Sequence, residues 1–179
     1  MVDEFKLLGV AISSDLSWNS HINDICSKAS KRLYALRVLR RSGAPPKDLI
    51  TVYCAFIQPV LEYACQVWHF SLPKYLCDQI ESIQVRALKI ALPDVSYQEA
   101  LMYNNLETLE HRRQNQCQKL YTNILNQENN KLKELLPAPN QHRYSLRITC
   151  KFDIFKCRTE RFKKSFIPSC VNIWDNLTI

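Results

Sequence analysis

The sequence predicts a mainly helical bundle preceded by a short β-hairpin and followed by an irregular basic segment. Three observations carry that expectation. Apolar residues recur at three- and four-residue steps through long stretches between residues 19 and 126. Short β-rich patterns are confined to the first 17 residues and to pieces near the end. Only two glycines, Gly9 and Gly43, occur in 179 residues, too few for a phosphate-cradling loop or for the many tight turns of a parallel α/β domain. With 46% hydrophobic and 23% charged residues, usage is that of a folded globular chain.

The elements follow in order. "FKLLGVAIS" reads as a strand or hairpin with Gly9 at a bulge or close backbone approach. From Ser17 or Asn19 a helix carries Ile22, Ile25, Cys26, Ala29, Leu33 and Leu36 as one stripe, with Lys28, Lys31 and Arg32 pointing away from it. Gly43 stops this helix just after Arg40 and Arg41, whose charges complement its dipole. Pro45 and Pro46 open a second helix, "DLITVYCAFIQPVLEYACQVW", apolar around most of its circumference and therefore central to the core. Pro59 removes an internal hydrogen bond, so a kink or break is expected there.

A third helix places Leu76, Ile80, Ile83, Ala87 and Ile90 on one side. Ser96, three residues before Glu99, has capping-box spacing and starts a fourth. "LEHRRQNQCQKLYTNIL" supplies a fifth, and "NKLKELL" one or two further turns before Pro137 and Pro139 mark a linker. Beyond it come β-like pieces at 144–148 and 152–155 and a last helix near 171–177.

The net charge of +7 is unevenly spread. Residues 18–47 hold seven basic side chains against Asp24 alone, and residues 137–179 hold eight against three acidic ones, flanking a near-neutral middle. Two readings stay open: contact with a polyanion, since Lys and Arg on phosphates supply most non-specific nucleic-acid affinity, or solvated helix faces. The eight cysteines show no paired spacing, and no basic-then-apolar leader precedes them, so a reduced, intracellular chain is expected. No metal site is expected either, because His142 with Cys150 and Cys157 is too loosely spaced for a zinc knuckle. Apolar runs fall short of a membrane span. Asp15, Asp24, Asp48, Asp78, Asp94, Asp153 and Asp175 stand singly and mostly at helix starts or turns, where capping accounts for them, and His21, His69, His111 and His142 fall into no nucleophilic arrangement. No catalytic residues are assigned.

"FKLLGVAISSDLSWNSHINDICSKASKRLYALRVLRR" resembles the segment after the catalytic palm in non-LTR (LINE-type) retrotransposon reverse transcriptases. The matching positions are Phe5, Lys6, Leu8, Gly9 and Val10, then Leu16, Trp18, His21 and Ile22, then Lys28, Lys31 and Arg32. Tyr53, Pro59, Leu61, Glu62, Tyr63 and Trp68 are similar to that family's thumb-helix pattern, and Ile83, Gln84, Arg86 and Lys89 to the next helix. "LETLEHRRQNQCQKLY" and "RTERFKKSFIPSCVNIWDNL" resemble its post-polymerase region.

The resemblance implies a division into a residual palm strand and primer-grip hairpin (1–17), thumb helices (18–92), post-polymerase helices (93–136) and a basic C-terminal segment (137–179). It also implies that the fingers, the palm with its Mg²⁺-binding aspartates and the endonuclease are missing, so the chain alone is not an enzyme and needs no cofactor. The expected partners are RNA and DNA template-primer, met through phosphates by Lys28, Lys31, Arg32, Arg40 and Arg41 and by Lys156, Arg158, Arg161, Lys163 and Lys164. Leu8 and Gly9 would be primer-grip-like. The expected setting is a ribonucleoprotein of nucleus or cytoplasm, with no membrane. Two alternatives stand beside this: a domesticated helical protein-interaction module, and a non-functional relic of a mobile element.

Overall fold

A computed structural model describes residues 3–139, 152–153 and 156–175. The expected strand at 144–148, His142 and the far end of the expected last helix lie outside the described residues. The chain is mainly helical with one two-stranded antiparallel sheet at its N-terminal end, and it forms two compact units. The first comprises Met1–Ala64 with Leu72–Arg112, the second Cys65–Ser71 with Arg113–Ile179.

In the first unit β1 (Glu4–Leu7) pairs with β2 (Val10–Ser13), Leu7 opposite Val10 and Phe5 opposite Ile12. Leu8 and Gly9 are the two turn residues, at φ 47° and 87°. Positive φ at both central positions is the geometry that matches hairpin twist, so Gly9 serves a tight turn rather than a bulge. A Cβ on Gly9 would meet the Tyr63 ring at 3.5 Å, an ordinary contact, so backbone conformation and not crowding selects glycine here. Tyr63 donates its hydroxyl to the Leu8 carbonyl at 2.8 Å and ties the turn down.

Helix α1 (Asn19–Arg41) buries the predicted stripe: Ile22, Ala29, Leu33 and Leu36 are fully covered. It ends as its sequence requires, with Gly43 at φ 86° and the Gly43 and Ala44 amides returning to the Arg40 and Leu39 carbonyls. Its main partner is α5 (Lys74–Ala91), which contributes Leu76, Ile80, Ile83, Ala87 and Leu88 to the core. The two helices run parallel in a fixed register. Tyr75 donates to Asn19, Gln79 to Asn23 and Arg86 to Ser30, each pair 56 residues apart in sequence. The ladder repeats at four- and seven-residue steps on both helices, as side chains on one helical face must.

Between them the chain crosses over through α2 (Pro46–Val52), a π-helical turn (Tyr53–Ile57) and α3 (Gln58–Glu62). Pro59 lies in the first turn of α3, where its missing N–H is harmless, and the π turn takes up the register change ahead of it. The sharp break comes later than Pro59, at Tyr63 and Ala64, where Ala64 sits at φ 52°. Helix α4 (Cys65–Trp68) follows in the second unit. Helix α6 (Tyr97–Tyr103) begins with both capping-box bonds that Ser96 and Glu99 predict.

Helix α7 (Leu109–Asn126) crosses the boundary between Arg112 and Arg113. In the second unit Tyr121, Phe152, Cys170 and Val171 form a core, covered by Phe70, Leu125, Leu136, Phe166, Ile167 and Trp174. "NKLKELL" makes a 3₁₀ turn (Lys131–Leu135). The C-terminal helical pieces are α8 (Glu160–Lys163), α9 (Phe166–Cys170) and a π-helical turn (Val171–Asp175).

Candidate interaction surface

The basic residues of α1 do not form one face. At about 3.6 residues per turn, the nine residues from Lys28 to Arg37 are two and a half turns and place them on opposite sides of the helix. Lys28 pairs with Asp24 at 2.6 Å, and Lys6 reaches the same carboxylate at 3.2 Å. The Lys28 hydrogen bond, with help from Lys6, holds Asp24 below the usual carboxylate range. Arg32 donates to the Phe56 carbonyl and lays its guanidinium over the Phe56 ring, 4.3 Å from the centroid. It stays at the surface and covers the Phe56 side of the π turn. Arg40 donates to the Ile90 carbonyl at 2.7 Å near the end of α5. Lys31, Arg37 and Arg41 are exposed and, among the described residues, belong to no ion pair.

The C-terminal cations Lys156, Arg158, Arg161, Lys163 and Lys164 are all exposed, with Lys163 3.6 Å from Glu160. Leu8, expected in a primer grip, is 82% exposed at the hairpin tip.

What α1 presents to solvent is a mixed stripe. Lys31, Tyr34, Val38 and Arg41 follow one another at steps of three, four and three residues, the spacing of a single helical face. Tyr34 is 64% and Val38 42% exposed. An aromatic and an aliphatic side chain are thus bracketed by two uncommitted cations on a helix whose opposite side is locked into the core.

The interior polar groups are committed to structure. Tyr53 donates to Gln84 at 2.6 Å, while Gln84 donates to Tyr97 and to the Glu107 carbonyl, both at 3.0 Å. Tyr97 in turn donates to Glu81, which also accepts the Leu109 amide at 3.1 Å and so caps the start of α7 with negative charge. Burial pushes the phenols of Tyr53 and Tyr97 above their ordinary range and keeps them neutral donors. Glu62, buried in α3, takes Arg112 at 2.6 Å and Gln58 at 3.1 Å. His21 is buried beside Trp18, as its position predicts, and its Nδ1 accepts the Ala11 amide at 3.3 Å. Burial holds its pKa down, in keeping with an imidazole that accepts.

Gln84 and Glu62 carry these networks, and sequence reasoning gave them no such role; a polar residue inside an apolar helical stripe was the signal available. Asp15 lies in a turn before α1, where it accepts the Ser17 amide, whereas Asp24 is inside α1 and pairs with Lys28 instead of capping. Side-chain caps come from Ser96, Asn130 and Thr159, and Thr108 accepts the His111 amide in the first turn of α7. Among the described residues no group of three His, Cys, Asp or Glu could hold a metal ion, and no helix is long and apolar enough to cross a membrane.

Residues 18–59, from the start of α1 into α3, match the family model described as alkylated DNA repair protein alkB homolog 8, N-terminal. No curated protein and no solved structure matches the chain. The matched stretch includes much of what resembles reverse transcriptases, and it points to a different family. The reading of the chain as a truncated retrotransposon polymerase, with template-primer binding as its residual activity, is corrected accordingly.

The physical reason lies in what the motif residues do. Tyr53, Leu61 and Trp68 are buried at 1% exposure or less, Ile22 and His21 are fully covered, and Gly9 answers a turn. Such requirements of packing and turn geometry recur in any helical bundle with a hairpin. They specify a fold, not a polymerase.

Proposed function

We propose that this chain is a non-catalytic helical protein-interaction module whose contact surface is the outer face of α1. The observation that carries the reading is the stripe Lys31, Tyr34, Val38 and Arg41. Aromatic anchors with a charged rim are the composition of protein contact sites, and a Tyr on a rigid helix loses little conformational freedom on binding. Net charge supports the choice of partner: residues 18–47 carry seven basic groups against one acidic group, which favours an acidic segment. The matched family model covers this helix entirely, and its printed name ties that other protein to DNA repair; a protein partner met through α1 is compatible with such a setting.

The test is a pair of alanines. Tyr34→Ala with Val38→Ala removes the apolar centre and leaves every charge in place, so binding through phosphates alone would be unchanged. The double variant should keep the wild-type circular dichroism and lose on the order of tenfold or more in affinity for proteins that the wild-type chain retains from nuclease-treated extract. An identical set of retained proteins at identical strength would overturn the proposal.

A further inference from the structure

Arg37, Arg40 and Arg41 line a cavity of about 340 Å³ together with Ile90. All four belong to the first unit, where α1 ends beside the end of α5. The spacing i, i+3, i+4 brings the three guanidinium groups to one side of the last turns of α1. Arg40 is anchored by its bond to the Ile90 carbonyl, and among the described residues none of the three has a carboxylate partner. Arg37 and Arg41 are exposed. Ile90 gives the cavity an apolar wall.

We infer that this cavity binds a phosphate monoester carried by a protein partner, a phosphorylated side chain; the inference rests on the protein-interaction reading and extends its surface from Arg41 inward. The charge balance favours an anion. The carbonyl ends of α1 and α5 contribute roughly half a negative charge each, against three fixed positive ones that no carboxylate among the described residues neutralises. Guanidinium groups present forked donors that match phosphate oxygens, and a cluster of them is a recurrent mode of recognising phosphorylated motifs.

The site suits a monoester better than a polynucleotide. A monoester offers three terminal oxygens and close to two charges at one point, which three converging arginines can satisfy. A polynucleotide needs cations along a track. Along α1 that track is missing, because Lys28 and Arg32 lie on the opposite flank and are engaged by Asp24 and by Phe56. The cavity volume lies at the lower end of ligand clefts, enough for a phosphate and the first atoms of what bears it.

The experiment uses the full chain and four probes: a degenerate peptide library with a fixed central phosphoserine, the same library unphosphorylated, inorganic phosphate, and an RNA/DNA duplex. The phosphorylated library should bind at least tenfold more tightly than its unphosphorylated counterpart, and tighter than inorganic phosphate. Arg37→Ala with Arg41→Ala should abolish that difference while circular dichroism stays unchanged, since both side chains are exposed. Arg37→Lys with Arg41→Lys should restore it only in part, because lysine keeps the charge and loses the fork.

Equal binding of both libraries would overturn the inference. So would inorganic phosphate binding as tightly as the phosphorylated library, which would assign the cavity to a small anion, or a duplex whose binding depends on the same two arginines and exceeds that of the peptides. Should phosphorylation make no difference while Tyr34→Ala with Val38→Ala still loses its partners, the phosphate site falls and the protein-interaction reading stands.

Discussion

Leu8 occupies a conformation that leucine avoids. Its φ of 47° puts it in the left-handed region, and with 82% exposure its side chain gains little from packing in return. The hairpin turn needs positive φ at both central positions, and asparagine followed by glycine is the pair that adopts it most readily. Leu8→Asn should therefore stabilise the chain by about 1 kcal/mol, read as a raised denaturation midpoint with unchanged denaturant slope. A lowered midpoint would mean that Leu8 makes a contact the fold needs. The Tyr63 hydroxyl bond to the residue-8 carbonyl survives the substitution, because on that side it uses only backbone. Gly9 could be singled out in the sequence; its partner could not, because leucine carries no turn signal. Leu16, Ala64 and Asn105 share that property, at φ values of 53°, 52° and 51°. Only the asparagine among them has a chemical reason to be there.

At the level of elements, the parallel pair α1 and α5 is set by apolar stripes that the sequence displays and by a polar ladder that it does not. Helical periodicity locates both stripes. The register comes from Asn19, Asn23 and Ser30 meeting Tyr75, Gln79 and Arg86, residues that read singly as solvent-facing. Gln84 is the clearest case of an unannounced role. It is fully buried on α5, accepts from Tyr53 and donates to Tyr97 and to the Glu107 carbonyl, joining three segments.

Gln84→Ala leaves the buried Tyr53 hydroxyl without its acceptor, away from water, at about 1–3 kcal/mol for an orphaned buried group. The predicted outcome is a clear loss of stability in urea unfolding. Adding Tyr53→Phe should return part of it, since that change removes the stranded hydroxyl; no recovery in the double variant would place the bond outside the energetics of the core. Pro59 shows the complementary lesson. A proline inside an apolar helix announces a kink, yet the chain absorbs it with a π turn at Tyr53–Ile57 and breaks only at Ala64.

For the whole molecule, the sequence was legible as a helical chain with an N-terminal hairpin, and its charge was legible as two basic blocks. Where that charge points was not, because a run of cations on a long helix winds around it. Lys28, Arg32 and Arg40 are engaged at the surface by a carboxylate, a carbonyl with an aromatic ring, and a second carbonyl, while among the described residues Lys31, Arg37 and Arg41 belong to no ion pair. Part of the likeness to polymerases arose from residues that the core and one turn require, Ile22, Tyr53, Leu61, Trp68 and Gly9 among them. The family match on residues 18–59 covers the whole of α1.

The most direct test places a photo-crosslinking residue, p-benzoylphenylalanine, at Tyr34 in the full chain in cells, with Lys119, an exposed position on α7, as reference. Discrete protein adducts are expected from position 34 that survive nuclease digestion and are absent from position 119. Adducts no different from those at position 119, or adducts that vanish with nuclease, would contradict the protein-interaction reading.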